Sequence, residues 1–181
     1  MERWPPIYDA SDLEATIRDL SDTGEIGQHF FSSTPAGRIC QGDVIRLPTS
    51  VPLIHEDGQP AISGESTYWM VIGNTCDIDR DVVSVAWSQI VPLDEFPAAD
   101  LADEELATLR RYRYSRRFYV PPWAIHVNGR HFVADFLRPV TIHKNALFNV
   151  AHVETKLSYL GWILLHSCLV RFLARDDGRF D

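Results

Sequence analysis

Three groups of residues have types and spacings suited to chemistry. The first is Arg110-Arg111-Tyr112-Arg113-Tyr114-Ser115-Arg116-Arg117, in which arginines alternate with aromatic rings. Guanidinium groups hold phosphates bidentately and tyrosine rings stack on bases, so the run reads as a nucleic-acid footprint. Its binding candidates are Arg110, Arg111, Arg113, Tyr114, Arg116 and Arg117. An acidic protein partner would suit the same charges, and so would the negative end of a helix dipole.

The second group is Cys76-Asp77-Ile78-Asp79-Arg80-Asp81. Cys76 could act as nucleophile or metal ligand, and Asp77 and Asp79 could hold a cation or activate water. The spacing is not that of a calcium loop, because Val82 stands where glycine is required and Ser88 where the closing acid belongs. No second cysteine accompanies Cys76 at zinc-site spacing. The plainer alternative is a turn whose Asp side chains bond nearby amides, with Cys76 as a small buried hydrophobe.

The third group is the pair His126 and His131 around Asn128-Gly129. A two-residue turn there would place the two Cβ atoms about 4.5–5.5 Å apart across a hairpin, near enough to share a metal. Asp135 lies too far along to complete the set, so an ordinary cross-strand pair is the simpler reading and no metal or cofactor is expected. Trp69, Trp87, Trp123 and Trp162 could line a ligand groove, although large aromatics usually build cores. Cys168 and His166 read as packing residues of a final helix.

These groups need a scaffold, and composition permits one. The 181 residues suit a single domain, with 45% hydrophobic and 23% charged residues, the ordinary globular mixture. A net charge of −8 argues against whole-molecule attraction to nucleic acid and leaves only a local patch for that role. Three cysteines, widely spaced, favour reduced thiols in a cytoplasmic protein. The N-terminus has no apolar run of a signal peptide, and the apolar stretch Leu157–Leu173 is too interrupted to span a membrane.

Ser11-Asp12-Leu13-Glu14 has the form of a capping box, followed by Leu13, Ile17 and Leu20 at helical spacing. Strands are predicted at Gly42–Leu47, Tyr68–Ile72, Val82–Trp87 with Ile90–Leu93 beyond a bend, and Phe118–Val120. A hairpin of Ala124–Val127 with Arg130–Phe136 and an edge strand at Leu137–Ile142 complete the set. Thr49–Ser66 reads as a long loop. Leu101–Tyr112 and Leu157–Ala174 are predicted helices, the first with acids in its opening turn and arginines in its last. The expected class is α+β and β-rich: residues 1–38 as a helix and irregular lead-in, residues 39–181 as a small barrel with inserted and C-terminal helices.

Gly42-Asp43-Val44-Ile45, then Tyr68-Trp69-Met70-Val71-Ile72-Gly73-Asn74, then Val82-Val83-Ser84-Val85 leading to Ile90-Val91-Pro92-Leu93, resembles the PemK/MazF-like SH3-type barrels. Thr75-Cys76-Asp77-Ile78 and Arg117-Phe118-Tyr119-Val120-Pro121 look like a branch of uncharacterised bacterial proteins associated with mobile elements. The resemblance implies an SH3-like barrel, toxin–antitoxin context and RNA as substrate. The toxins carry an Arg-Pro pair entering the central strand, and here Tyr68-Trp69 stands in its place. Without that arginine the scissile phosphate needs another cation.

The leading expectation is therefore a non-catalytic interaction module using the Arg/Tyr run on nucleic acid or a protein partner. A toxin-like RNA endonuclease comes next, with Arg46, Arg80 or the arginine run as cations and Asp77 or His131 as base. A metal-dependent hydrolase on the histidine pair ranks third.

Overall fold

Apolar residues recurring on both sides of short strands demand cover on two faces, and the chain supplies it with helices. The computed structural model describes residues 10–23, 25–33, 37–47, 51–54, 60–63, 68–79, 86–97, 100–124 and 127–173. In chain order the elements are α1 (Ala10–Asp22), α2 (Glu25–His29), β1 (Val44–Arg46), β2 (Val51–Ile54), β3 (Pro60–Ser63), β4 (Tyr68–Val71) and α3 (Thr75–Asp79). There follow β5 (Trp87–Pro97), α4 (Asp103–Arg110), β6 (Arg117–Val120), β7 (Arg130–Asp135), β8 (Val140–His143), α5 (Lys144–Val150), β9 (His152–Thr155) and α6 (Tyr159–Leu173).

The main sheet is antiparallel and has seven strands, in the order β6-β7-β5-β4-β1-β9, with β8 also paired to β5. β6 and β9 stand at opposite ends of that path, so the described strands form an open α+β sheet and do not close into a barrel. β5 is the organising strand. β8 pairs along Trp87–Ile90, β4 along Ile90–Pro92 and β7 along Leu93–Pro97. Pro92, with no N–H to donate, sits where the pairing changes hands.

Alternation sends successive side chains of each strand to opposite faces. Val44, Met70, Val91 and Leu93 join Leu13 and Ile17 of α1 and Leu164, Leu165 and Cys168 of α6 in the larger core. Ile45, Trp69, Val71 and Ile90 point the other way and pack with Ile78 of α3 and Leu147 of α5 in a second core. A sheet covered on both faces explains why Tyr68–Ile72 and Ile90–Leu93 read as continuous apolar runs. Among the described residues no helix is long and apolar enough to cross a membrane.

At Gly42 the backbone takes φ +91°, and a Cβ there would lie 2.5 Å from Leu157 Cδ1. Next to it Asp43 is buried and its Oδ2 accepts from the Lys156 Nζ at 2.7 Å and from the Cys40 N–H at 2.9 Å. Burial pushes the Asp43 carboxyl above its ordinary value of 3.8, and the bonds from Lys156 and Cys40 offset part of that shift.

Several expectations need correction. The segment after α3 pairs with β4 through Ile90–Pro92, one stretch of the unbroken strand Trp87–Pro97; Val82–Val85 lies outside the described residues. Helix α1 is already helical at Ala10, so Ser11 lies inside its first turn rather than ahead of it. The Thr49–Ser66 stretch contains a two-stranded unit, β2 with β3, in place of a loop. Of the expected hairpin of Ala124–Val127 with Arg130–Phe136, Ile125 and His126 lie outside the described residues, and no pairing joins its described halves. β7 pairs instead with β6 and β5, and the Val127 N–H closes a tight turn onto the Ala124 carbonyl. The Asn128-Gly129 turn is present, with Gly129 at φ +78° and its N–H bonded to Asn128 Oδ1.

Candidate functional site

The Arg/Tyr run is folded into three different environments. Its hinge is Tyr112, which ends α4 in a left-handed conformation with φ 51° and drops its ring into the larger core. The Tyr112 hydroxyl donates to the Tyr119 carbonyl at 3.2 Å, and burial raises its pKa well above 10. Arg171 of α6 donates to the Tyr112 and Tyr114 carbonyls and so ties the segment to the last helix.

Tyr114 and Arg117 are committed to structure. The Tyr114 hydroxyl donates to Glu105 Oε2 at 2.6 Å, Arg117 approaches Glu105 Oε1 at 3.3 Å, and the Arg117 guanidinium lies 5.4 Å from the Tyr114 ring centre. Glu105 of α4 therefore pins both residues to one another. Arg116 faces Asp135 of β7 at 4.0 Å. Arg110 reaches over the Tyr119 ring at 6.0 Å, and the Tyr119 hydroxyl lies 3.0 Å from the Nδ1 of buried His131. Burial, and secondly the charge of Arg110, hold the His131 imidazolium below its ordinary 6.5. Burial also pushes the Tyr119 phenol up, with Arg110 opposing it.

Arg111 and Arg113 flank the inward-turned Tyr112 and have no carboxylate partner among the described residues. Together with Ser11, Ala15 and Arg18 of α1 they line a recess of about 180 Å3. Arg18 was not part of the sequence argument. It lies on the polar side of α1, and only the packing of α1 beside the end of α4 brings it to the other two. An exposed contact of Arg18 with Asp19 at 3.6 Å is of the kind worth little. Three arginines thus line one recess, and among the described residues its lining includes no acid.

The Cys-Asp group is not a bare turn but the short helix α3. Cys76 is exposed, and its N–H donates to Asn74 Oδ1 at 2.9 Å. Asp77 lines a second recess with Gly73, Asn74 and Thr141 beside the start of β5, and its carbonyl accepts from the Lys144 Nζ at 2.9 Å. Asp79 closes α3, while Arg80 and Asp81 lie outside the described residues. His131 pairs with Phe96 near one end of β5, whereas Asp77 meets Ser88 and Gln89 near the other. Seven to eight residues of strand separate them, about 23–26 Å, so the two candidate bases do not serve one site.

His126 lies outside the described residues, and the described neighbour of His131 is Tyr119. Among the described residues no three His, Cys, Asp or Glu side chains gather into a group able to hold a metal. Arg46, a proposed cation for cleavage, is bound to Glu154 of β9 at 2.8 Å. The four tryptophans do not frame a common groove: Trp69 is core, Trp123 packs on Phe132, Trp162 donates to Gln41, and Trp87 is exposed. Cys168 is buried and its thiol is pushed up to about 12, while His166 packs against Trp162. Comparison with protein-family models, with curated proteins and with solved structures finds no match to this chain.

Proposed function

We propose that this chain is a non-catalytic interaction module that grips the phosphates of a nucleic-acid strand in the recess of Arg18, Arg111 and Arg113. One observation carries the reading. Three arginines from two parts of the chain line one recess whose described lining residues include no acid, in a chain whose net charge is −8. Like charges brought together repel, and an anion between them offsets that repulsion. Arginine forks match phosphate oxygens in both geometry and charge.

The resemblance of Gly42–Leu93 to PemK/MazF-like proteins supports nucleic acid over an acidic protein as the source of the anion. The long strand β5, shared between two sets of neighbours, supports an open variant of the SH3-like barrel as the platform. Of the arginine run, Arg111 and Arg113 bind; Arg117 with Tyr114 holds the platform in shape.

The test is a fluorescence-anisotropy titration of labelled single-stranded RNA, with polyglutamate as the acidic-protein arm, across a salt series. Three neutralised phosphates at about 0.7 counterions each give a log–log salt slope of roughly −2. The double reversal Arg111→Glu/Arg113→Glu abolishes binding. A flat salt response, or unchanged affinity in the reversed variant, refutes the proposal. Preference for polyglutamate would assign the recess to a protein partner, and cleavage of the probe would identify a toxin-like endonuclease.

A further inference from the structure

The second recess, of about 300 Å3, opens where β4 runs into α3 beside the first residues of β5. Its size is at the lower end of small-ligand pockets, roughly 300–1,000 Å3. Trp87 forms one wall and is 60% exposed, unusual for so large an apolar ring. His143 lies against the indole with centroids 5.3 Å apart and planes at 79°, and the indole still keeps most of its surface open to solvent. Around it stand a carboxylate (Asp77), two amides (Asn74, Gln89) and two hydroxyls (Ser88, Thr141).

Ser88 adds a second irregularity beside the recess. The residue is only 6% exposed, yet its Oγ has no hydrogen-bond partner among the described residues. It rests against Gly73, where any added Cβ would collide with that oxygen. A buried hydroxyl without a partner is unfavourable, and such groups in folded proteins call for a reason.

We propose that this recess binds an uncharged sugar ring. A pyranose has an apolar face of C–H groups and a rim of hydroxyls, each both donor and acceptor. The C–H face fits the open side of Trp87. The rim fits a mixed lining in which the carboxylate only accepts, the amides do both, and the hydroxyls rotate to suit. A nucleobase offers a fixed edge pattern and gains most between two flat walls, and among the described residues only Trp87 supplies one. Among the described residues the lining offers a phosphorylated ligand no Arg or Lys, and the nearby Lys144 amine donates to the Asp77 carbonyl. The site is separate from the arginine recess: α3 packs into the second core, whereas α1 packs into the larger one.

The experiment titrates the 181-residue chain with the methyl glycosides of glucose, galactose, mannose and N-acetylglucosamine, read by saturation-transfer NMR and tryptophan fluorescence. Adenosine, guanosine, cytidine and uridine form the competing arm. At least one glycoside binds saturably, and Trp87→Ala weakens it about tenfold. Trp87→Phe retains part of the affinity. Arg111→Glu/Arg113→Glu leaves glycoside affinity unchanged, so the outcome is independent of RNA binding. Binding of nucleosides in place of glycosides, binding of neither, or equal affinity in a folded Trp87→Ala protein would overturn the assignment.

Discussion

Replacing Lys156 by Met tests whether the buried pair beside Gly42 holds the sheet to the segment preceding α6. In the native protein the Lys156 and Asp43 side chains are 11% and 3% exposed and their charged atoms lie 2.7 Å apart. Both are desolvated, so the pair is not comparable with surface ion pairs of about 0–1 kcal/mol. Removing one member strands a buried charge, which costs about 3–5 kcal/mol. At about 2–4 °C per kcal/mol for a chain of this length, the melting temperature should fall by roughly 6–20 °C. The loss also carries a pH signature. Between 3.8 and the raised folded value, native Asp43 holds a proton that the unfolded chain has released, so this group's contribution to stability falls as pH rises through that window. Without Lys156 its hydrogen bond and its charge no longer lower the carboxyl, only the Cys40 N–H still does, and burial lifts it further, widening the window upward. The deficit against the native protein is therefore largest at neutral pH and shrinks in acid, where Asp43 becomes neutral. Urea and thermal denaturation followed by circular dichroism, in neutral and acid buffer, measure it. A companion Asp43→Asn/Lys156→Met protein, carrying no stranded charge, should regain much of the loss. A deficit below about 1 kcal/mol, or one that does not change with pH, would refute the reasoning.

Gly42→Ala places a Cβ on a left-handed backbone and against Leu157, and should destabilise by about 1–3 kcal/mol; an unchanged urea midpoint would contradict it. His131 is held below 6.5 in the fold, so its contribution to stability is present above that value and is lost as pH falls below it. In His131→Phe the melting temperature should accordingly depend less on pH just below 6.5 than in the native protein, and an identical pH profile would refute the burial argument. Thiol alkylation followed by peptide mass spectrometry should label exposed Cys76 in the native state and buried Cys168 only on unfolding. Labelling of Cys168 at the native-state rate would refute its place in the core.

Local chemistry was enough to locate most elements. Tyr68–Ile72 announces a strand because β-branched and aromatic residues suit a pleat buried on both faces, and the acidic start and basic end of 101–112 suit a helix dipole. Asn128-Gly129 marks its turn because glycine accepts positive φ without steric cost. The partners of those elements were not legible. Asn-Gly implies a hairpin of the flanking residues, yet β7 finds β6 and β5, since pairing is won by the apolar faces available across the sheet and not by the nearest turn. Lys144–Val150 and His152–Thr155 are too short and too polar to stand out, and acquire their form by packing Leu147 and Val153 against the second core.

The sequence by itself determined that arginines are concentrated in an acidic chain, because composition and order are all that such a statement needs. Which of those arginines stay available was decided only in three dimensions. Tyr112 turns inward, Glu105 captures Tyr114 and Arg117, and α1 delivers Arg18 from some ninety residues upstream to Arg111 and Arg113. Charge is a property of residue type, but a site is a property of distance, and distances between remote residues are set by the packing of the cores that bring their backbones together.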